Sequence, residues 1–162
     1  MDRTSTGLST AITPGRIAFV LVAVVVFALD RVTKSLVDEQ VPYGTEIPVI
    51  DHVVWITNIH NSGAAFGLVP ALALVFLVAS IAVSIGLVAY VATHRNDLLV
   101  DAVLGLILGG TTGNGFDRVV HGTVTDFITV HFWPVFNVAD AAVSTGVVLL
   151  ALGYLVRKPR AA

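Results

Sequence analysis

The sequence contains no cysteine, which excludes disulfides, thiol nucleophiles and thiolate metal ligands together. Charge is scarce as well. Asp, Glu, Lys and Arg make up 12% of the 162 residues, about half the share of an ordinary soluble domain. With a net charge of -2 there is no basic surface to invite nucleic acid. Lys and Arg are missing altogether from two stretches, 38–70 and 119–135. There is no HExxH, no GxSxG, no internal repeat and no low-complexity tract. Ser62, Ser80 and Ser84 lack any neighbouring Lys or His pattern that would activate them, so a serine nucleophile is poorly supported.

What the chain does contain is apolar sequence. Hydrophobic residues reach 56% and the mean hydropathy is +0.88, the signature of an integral membrane protein in one domain, 1–162. Four runs, at about 16–37, 71–92, 98–118 and 138–156, each approach the ~20 residues that a helix needs to cross a ~30 Å hydrocarbon core. They are too long and too uniformly apolar for barrel strands, so the fold class predicted is an all-α membrane protein with four transmembrane helices. The 38–70 connection differs. Pro42, Gly44 and Pro48 punctuate it, and VIDHVVWITNI is rich in β-branched and aromatic residues, which predicts a small extracytoplasmic β-sheet. HNSGAAFG then returns the chain to the membrane, with Gly63 and Gly67 allowing tight backbone and Phe66 as an apolar anchor.

Orientation follows from the basic residues. Arg3 and Arg16 precede the first run, Arg95 lies between the second and third, and Arg157, Lys158 and Arg160 follow the fourth. The positive-inside rule places both termini and the 93–97 turn in the cytoplasm, and the two Lys- and Arg-free connections outside. The polar Met1–Thr13 leader reads as a retained cytoplasmic tail. In that topology Asp30, Arg31, Lys34, Asn114, Asp117, Arg118, Asn137 and Asp140 all fall at the outer ends of spans, with Asp126 in the loop between the last two. The inner halves look free of polar groups. Ionisable groups beside hydrocarbon are costly and mark function by default, so their convergence predicts one site at the outer face. Gly105, Gly109 and Gly113 form a small-xxx-small ladder that turns the polar end of span three towards other helices.

Within the cluster, Asp126 and Asp140 are the candidates for chemistry. Two nearby carboxylates cannot both ionise comfortably, so one keeps its proton while the other acts as a base. Such a pair activates water and protonates a leaving amine with no metal or cofactor. Asp140 also has a structural reading, because Asn137 and Asp140 are spaced as a capping box at a helix start. Asp117 with Arg118, and Asp30 with Lys34, read as ion pairs that make buried charge tolerable. Asn61 and Asn114 offer amides to a peptide backbone or to their neighbours. His121 and His131 lie near the site, but without a third clear ligand the metal signal is weak.

DRVTK (30–34), NSGAAF (61–66), GGTTGNGFDR (109–118), VTDF (124–127) and FNVAD (136–140) resemble, in order, the sequence blocks of bacterial lipoprotein signal peptidase, signal peptidase II. The resemblance implies an aspartyl endopeptidase of the bacterial cytoplasmic membrane, multi-pass, cutting diacylglyceryl-modified prolipoproteins before the lipidated cysteine. It assigns the dyad to Asp126 and Asp140. It matches Asp30, Lys34, Asn61, Gly110, Asn114, Arg118 and Asn137 to supporting or substrate-contacting positions, with Asp117 a further polar support. It also implies a β-cradle and a flexible periplasmic helix over the site. The segment between the two aspartates, ITVHFWPVFNVA, is short by that comparison, and VTDF stands where VVDF is commoner. Three other classes compete: an ion-coupled transporter using the same polar cluster, a metallopeptidase built on His131, and a lipid-binding scaffold with no chemistry.

Overall fold

In the computed structural model the described residues are 12–63 and 70–156, with the side chains of 70 and 71 set aside. The Phe66 and Gly67 expectations, the leader before Ile12 and the basic residues after Val156 lie outside them. Among the described residues there are four long helices: α1 Pro14–Gln40, α2 Pro70–Thr93, α3 Leu98–Val120 and α4 Val138–Val156. Helix α1 starts where Thr13 Oγ1 accepts from the Arg16 backbone N–H at 3.2 Å with Pro14 in the first turn, a position where the missing proline N–H costs nothing. It stops at Val41, extended ahead of Pro42, as a residue before proline prefers.

Helix α3 is the hub and packs against α1, α2 and α4. The glycine ladder explains how. A Cβ on Gly105 would meet the Phe19 carbonyl oxygen at 2.6 Å, one on Gly109 the Ala23 carbonyl oxygen at 2.6 Å, and one on Gly113 the Asp30 carboxylate at 2.7 Å. All three lie against α1, so the two backbones touch where side chains would hold them apart. Gly110 does the same against Ala139 and Val143 of α4.

Helices α2, α3 and α4 are each long and apolar enough to cross a membrane, with mean hydropathies of 2.7, 1.3 and 1.8 over their spans. Helix α1 has the length, 27 residues, but carries Arg16, Asp30, Arg31 and Lys34. Its two faces differ. Phe19, Ala23, Val26, Asp30, Lys34 and Val37 turn inward, while Val24, Val25, Leu29, Val32 and Leu36 are exposed. At the other end of the bundle Arg16 donates to the carbonyls of Val91 (3.3 Å) and Ala92 (2.7 Å), tying the start of α1 to the end of α2. Asp101, in the first turn of α3, is buried there and accepts from Asn96 at 2.8 Å. The end of the bundle that the sequence reading took as inner is thus not free of polar groups, contrary to expectation; a first-turn carboxylate is favoured by the helix N-terminus.

The sheet has three antiparallel strands, β1 Glu46–Ile50, β2 Val54–Asn61 and β3 Val124–Thr129, in the order β1-β2-β3. The first two lie in the stretch expected to form strands. The third corrects the reading of Asp126 as a loop residue: it sits in the middle of β3, opposite Ile59. Val124, Thr125, Phe127, Ile128 and Thr129 give that run the β-branched and aromatic character that a strand favours. Phe127 packs with Val37 and Val41 at the C-terminal end of α1, seating the sheet on the bundle. Among the described residues no helix lies between β3 and α4; Phe136 pairs back with Ile128 instead.

Gly109→Val should lower stability by about 1–3 kcal/mol, the usual range for overpacking a tight contact. Thermal unfolding in detergent micelles measures it. A variant as stable as the parent would show that α1 and α3 separate at little cost.

Candidate active site

Capping, ion pairing and strand geometry bring these polar residues together at the sheet-bearing end of the bundle. Asn137 precedes α4 and its Oδ1 accepts from the Asp140 backbone N–H at 2.9 Å, while Asp140 Oδ2 accepts from the Asn137 backbone N–H at 3.2 Å. That is the expected capping box. It leaves the Asn137 Nδ2 group to donate elsewhere, and it reaches Asp126 Oδ1 at 2.6 Å. One asparagine therefore touches both candidate carboxylates. Asp126 Oδ2 accepts from Asn61 Nδ2 at 2.9 Å, and Asp140 Oδ1 accepts from Asn114 Nδ2 at 2.7 Å. Asn61 is itself fixed by a turn, its Oδ1 accepting from Gly63 N–H at 2.7 Å. Gly63 has φ +78, and a Cβ there would strike the Phe76 ring, so both conformation and space require glycine.

Below the carboxylates lies a buried ionic knot. Lys34 is 2% exposed, and its Nζ lies 2.9 Å from Asp30 Oδ2, 2.7 Å from Asp117 Oδ2 and 2.8 Å from Asn114 Oδ1. Because Lys34 takes the Asn114 oxygen, the Asn114 amide nitrogen is turned to Asp140. Asp30 Oδ1 accepts from the Ala139 backbone N–H at 3.1 Å, so α1 caps the start of α4 as well. Arg31 bridges Asp30 and Asp117 and lies over the Phe116 ring. Asp117 was expected to pair with Arg118; instead its partners are Arg31 and Lys34. Arg118 donates to the Asn114 carbonyl at 3.2 Å and lies over the Phe76 ring at 5.2 Å. Arg31, noted in the sequence only as part of the cluster, proves to be one of its main cations. A guanidinium one residue from Asp30 was the available signal.

The histidines stand elsewhere. His131 stacks on Trp55 at 3.8 Å and lies 3.3 Å from Glu46, and the exposed His121 lies 3.7 Å from Asp117. Among the described residues no three His, Cys, Asp or Glu side chains gather as a metal-holding group.

Residues 22–156 match the family described as signal peptidase (SPase) II. The chain belongs to the signal peptidase II family. Lipoprotein signal peptidases of Bacillus velezensis and Pelotomaculum thermopropionicum are 39% and 40% identical to it, each over 85% of this chain and 93% and 90% of their own lengths. Two solved bacterial membrane enzyme structures, obtained by the in meso method at 2.3 Å and 1.9 Å, superpose with TM-scores of 0.79 and 0.80. They share 31% and 32% identity, covering 89% and 86% of this chain and 93% and 94% of theirs. For a member of the signal peptidase II family the polar knot therefore lies in a peptidase, and the fold of that peptidase is a membrane enzyme's.

Asp126 is 4% exposed, and burial raises its carboxyl from the ordinary 3.8 to about 6, helped by the charge of Asp140 and opposed by Asn61, Asn137 and Lys34. Folded protein then holds more protons than unfolded protein between 3.8 and about 6, so stability falls as pH rises through that window. Asp126→Asn should flatten this slope in pH-resolved unfolding; an unchanged slope would show that another group titrates there.

Lys34→Met should cost about 3–5 kcal/mol, since Asp30 and Asp117 keep their burial and lose a shared cation. Denaturant unfolding reads it. A midpoint equal to the parent's would mean that Arg31 alone neutralises both carboxylates.

Proposed function

We propose that this chain is an aspartyl endopeptidase of the bacterial cytoplasmic membrane that removes signal peptides from prolipoproteins, cutting before a diacylglyceryl-modified cysteine with Asp126 and Asp140 as its dyad. The family supplies the peptidase and the kind of substrate. The observation that carries the dyad is Asn137, whose backbone N–H donates to the Asp140 carboxylate at 3.2 Å and whose Nδ2 donates to Asp126 at 2.6 Å, so two carboxylates from separate elements meet at one asparagine. Four transmembrane spans fit the structure when α1 is included. Within the span Asp30, Arg31 and Lys34 turn to partners on α3 and at the start of α4, and Val24, Val25, Leu29 and Val32 give the exposed face an apolar surface, as lipid requires. The lack of Lys and Arg in the sheet-bearing connections favours an extracytoplasmic site with both termini cytoplasmic.

In this reading water sits between the carboxylates. Asp140, held by the Asn114 amide and by the Asn137 N–H at a helix start, is suited to the ionised role and takes a proton from water. Hydroxide adds to the scissile carbonyl. Asp126, whose burial lifts its carboxyl to about 6, holds the proton that goes to the amide nitrogen as the tetrahedral intermediate collapses. Asp30, Lys34, Asn61, Gly110, Asn114, Asp117 and Asn137 fix the two carboxylates in place, and Arg118 is left at the edge to hold the substrate chain. The transporter reading finds no continuous polar path: between Asp101 and Thr111 helix α3 carries only Ala, Val, Leu, Ile and Gly. No metal or other cofactor enters the scheme.

Asp126→Asn and Asp140→Asn should each abolish cleavage of a lipidated prolipoprotein peptide while the protein still folds, and cleavage by the parent should survive chelation. The amides are close in size to the acids, so loss would report proton chemistry. An active, metal-free Asp140→Asn enzyme would refute the dyad, and zinc-dependent recovery after chelation would move the chemistry to a metal.

A further inference from the structure

Behind the strand that carries Asp126 a cavity of about 500 Å³ opens between the C-terminal end of α1 and the sheet, lined by Asp38, Glu39, Tyr43, Asn58 and His60 among others. It is separate from the carboxylate site. His60 pairs with Thr125 across β2 and β3, and Ile59 with Asp126, so strand alternation turns His60 and Thr125 to one face and Asn61 and Asp126 to the other. On the first face Thr125 Oγ1 and His60 Nε2 approach Asp38; on the second, Asn61 and Asn137 meet Asp126.

The cavity is rich in acceptors and short of donors. His60 and Thr125 reach Asp38 only at 3.4 to 3.5 Å, beyond the usual hydrogen-bond range. Arg31 and Lys34 are taken by Asp30 and Asp117, and among the described residues no Lys or Arg pairs with Asp38 or Glu39. Asn58 is 4% exposed; its Nδ2 donates to the Val41 carbonyl at 3.1 Å, and its Oδ1 has no partner. A buried amide oxygen without a donor is costly and marks a place where a donor belongs. Two carboxylates, that oxygen and the Tyr43 ring suit a cation that carries N–H groups. The way in runs along lipid. Val25, Leu29, Val32 and Leu36 are all exposed on α1, alternately four and three residues apart, and the next step of that stripe is Glu39.

We propose that this cavity binds the primary ammonium of an aminophospholipid headgroup, with Asp38, Glu39 and the Asn58 oxygen as acceptors, the Tyr43 ring against the cation and the acyl chains along the α1 stripe. A quaternary ammonium offers these acceptors no N–H, and an anionic headgroup meets two carboxylates. The bound lipid bridges the end of α1 to β2 and so holds the sheet on the bundle. The assignment takes from the topology proposed above only that α1 lies in the membrane, and nothing from the dyad.

The test is thermal unfolding of the full chain in detergent micelles doped with dioleoyl phosphatidylethanolamine. The midpoint should rise by roughly 3–6 °C at tenfold the half-saturating lipid fraction. Dioleoyl phosphatidylcholine should need about tenfold more lipid or beyond for the same rise, and dioleoyl phosphatidylglycerol should give none. Asp38→Asn with Glu39→Gln should unfold as the parent does without lipid, since both side chains are exposed, and should lose the response. His60→Lys, which sets an ammonium of the chain's own beside Asp38, should lose it too. An equal rise from the ethanolamine and choline lipids would overturn the assignment, as would a response that survives in the double variant. Ethanolamine or magnesium alone reproducing the rise would replace the lipid with a soluble amine or a metal. Turnover by Asp140→Asn, assayed in parallel, bears only on the dyad. If that variant is active while the lipid response holds, the dyad alone fails; if it is dead and the lipid response is absent, the lipid site alone fails.

Discussion

The site depends on one buried ammonium. Lys34 Nζ stands among Asp30, Asp117 and Asn114 at 2.7 to 2.9 Å, all of them buried. Charge alone would be satisfied by many arrangements; the hydrogen bonds are not. By taking the Asn114 oxygen, Lys34 leaves Asn114 only its nitrogen to offer Asp140. By sharing Asp30 with the Ala139 N–H, it fixes where α4 begins. An ion pair of this kind adds little net stability, but it decides which way an amide faces, and that orientation reaches Asp140 within two bonds' reach of the lysine.

The glycines make the knot possible. Gly113 admits the Asp30 carboxylate against the α3 backbone, and Gly110 admits Ala139, so Asn114 meets both α1 and α4 without a gap. Without that closeness Lys34 would sit too far from Asn114, and Asp30, Lys34, Asn114 and Asp117 would be four separate polar groups on two helices. Packing and electrostatics are here one constraint, since Gly105, Gly109, Gly110 and Gly113 face α1 or α4, the elements that also bring groups to the knot.

Much of this was legible in the sequence, for physical reasons. Four helices follow from apolar run length, and the capping box of Asn137 and Asp140 is a local three-residue pattern. Both strands of the 38–70 stretch show in its β-branched content, and the glycine spacing points to close helix contact. The missed features are non-local or were outweighed. Asp126 reads as a loop residue because Gly122 and the brief polar interval before it suggest a turn, while the strand character of VTDFIT counts only once β2 is there to pair with it. The partners of Asp117 lie some 80 residues away on α1, whereas the adjacent Arg118 is the obvious guess; a helix points neighbours about 100° apart, so adjacency in sequence is a poor guide to pairing. Asp101 escaped notice because a single acid near Asp97 looks like a solvated turn until Gly15 and Asn96 close over it.

The two carboxylates belong to different parts of the protein, and this has a mechanical consequence. Asp140 is carried by a helix of the bundle, Asp126 by the middle of a strand in a sheet resting on it. Asn137 bridges them at the point where the chain passes from sheet to bundle, and Phe127, one residue from Asp126, anchors the sheet to Val37 and Val41. The separation of the pair is therefore set by how firmly the sheet sits on α1, not by either carboxylate's own surroundings. Asp126 gains its burial only when the sheet is seated, so the same docking contact that closes the pair also raises the proton affinity of its buried member. Proton retention and geometry thus arise together, and a sheet lifted from the bundle would lose both at once.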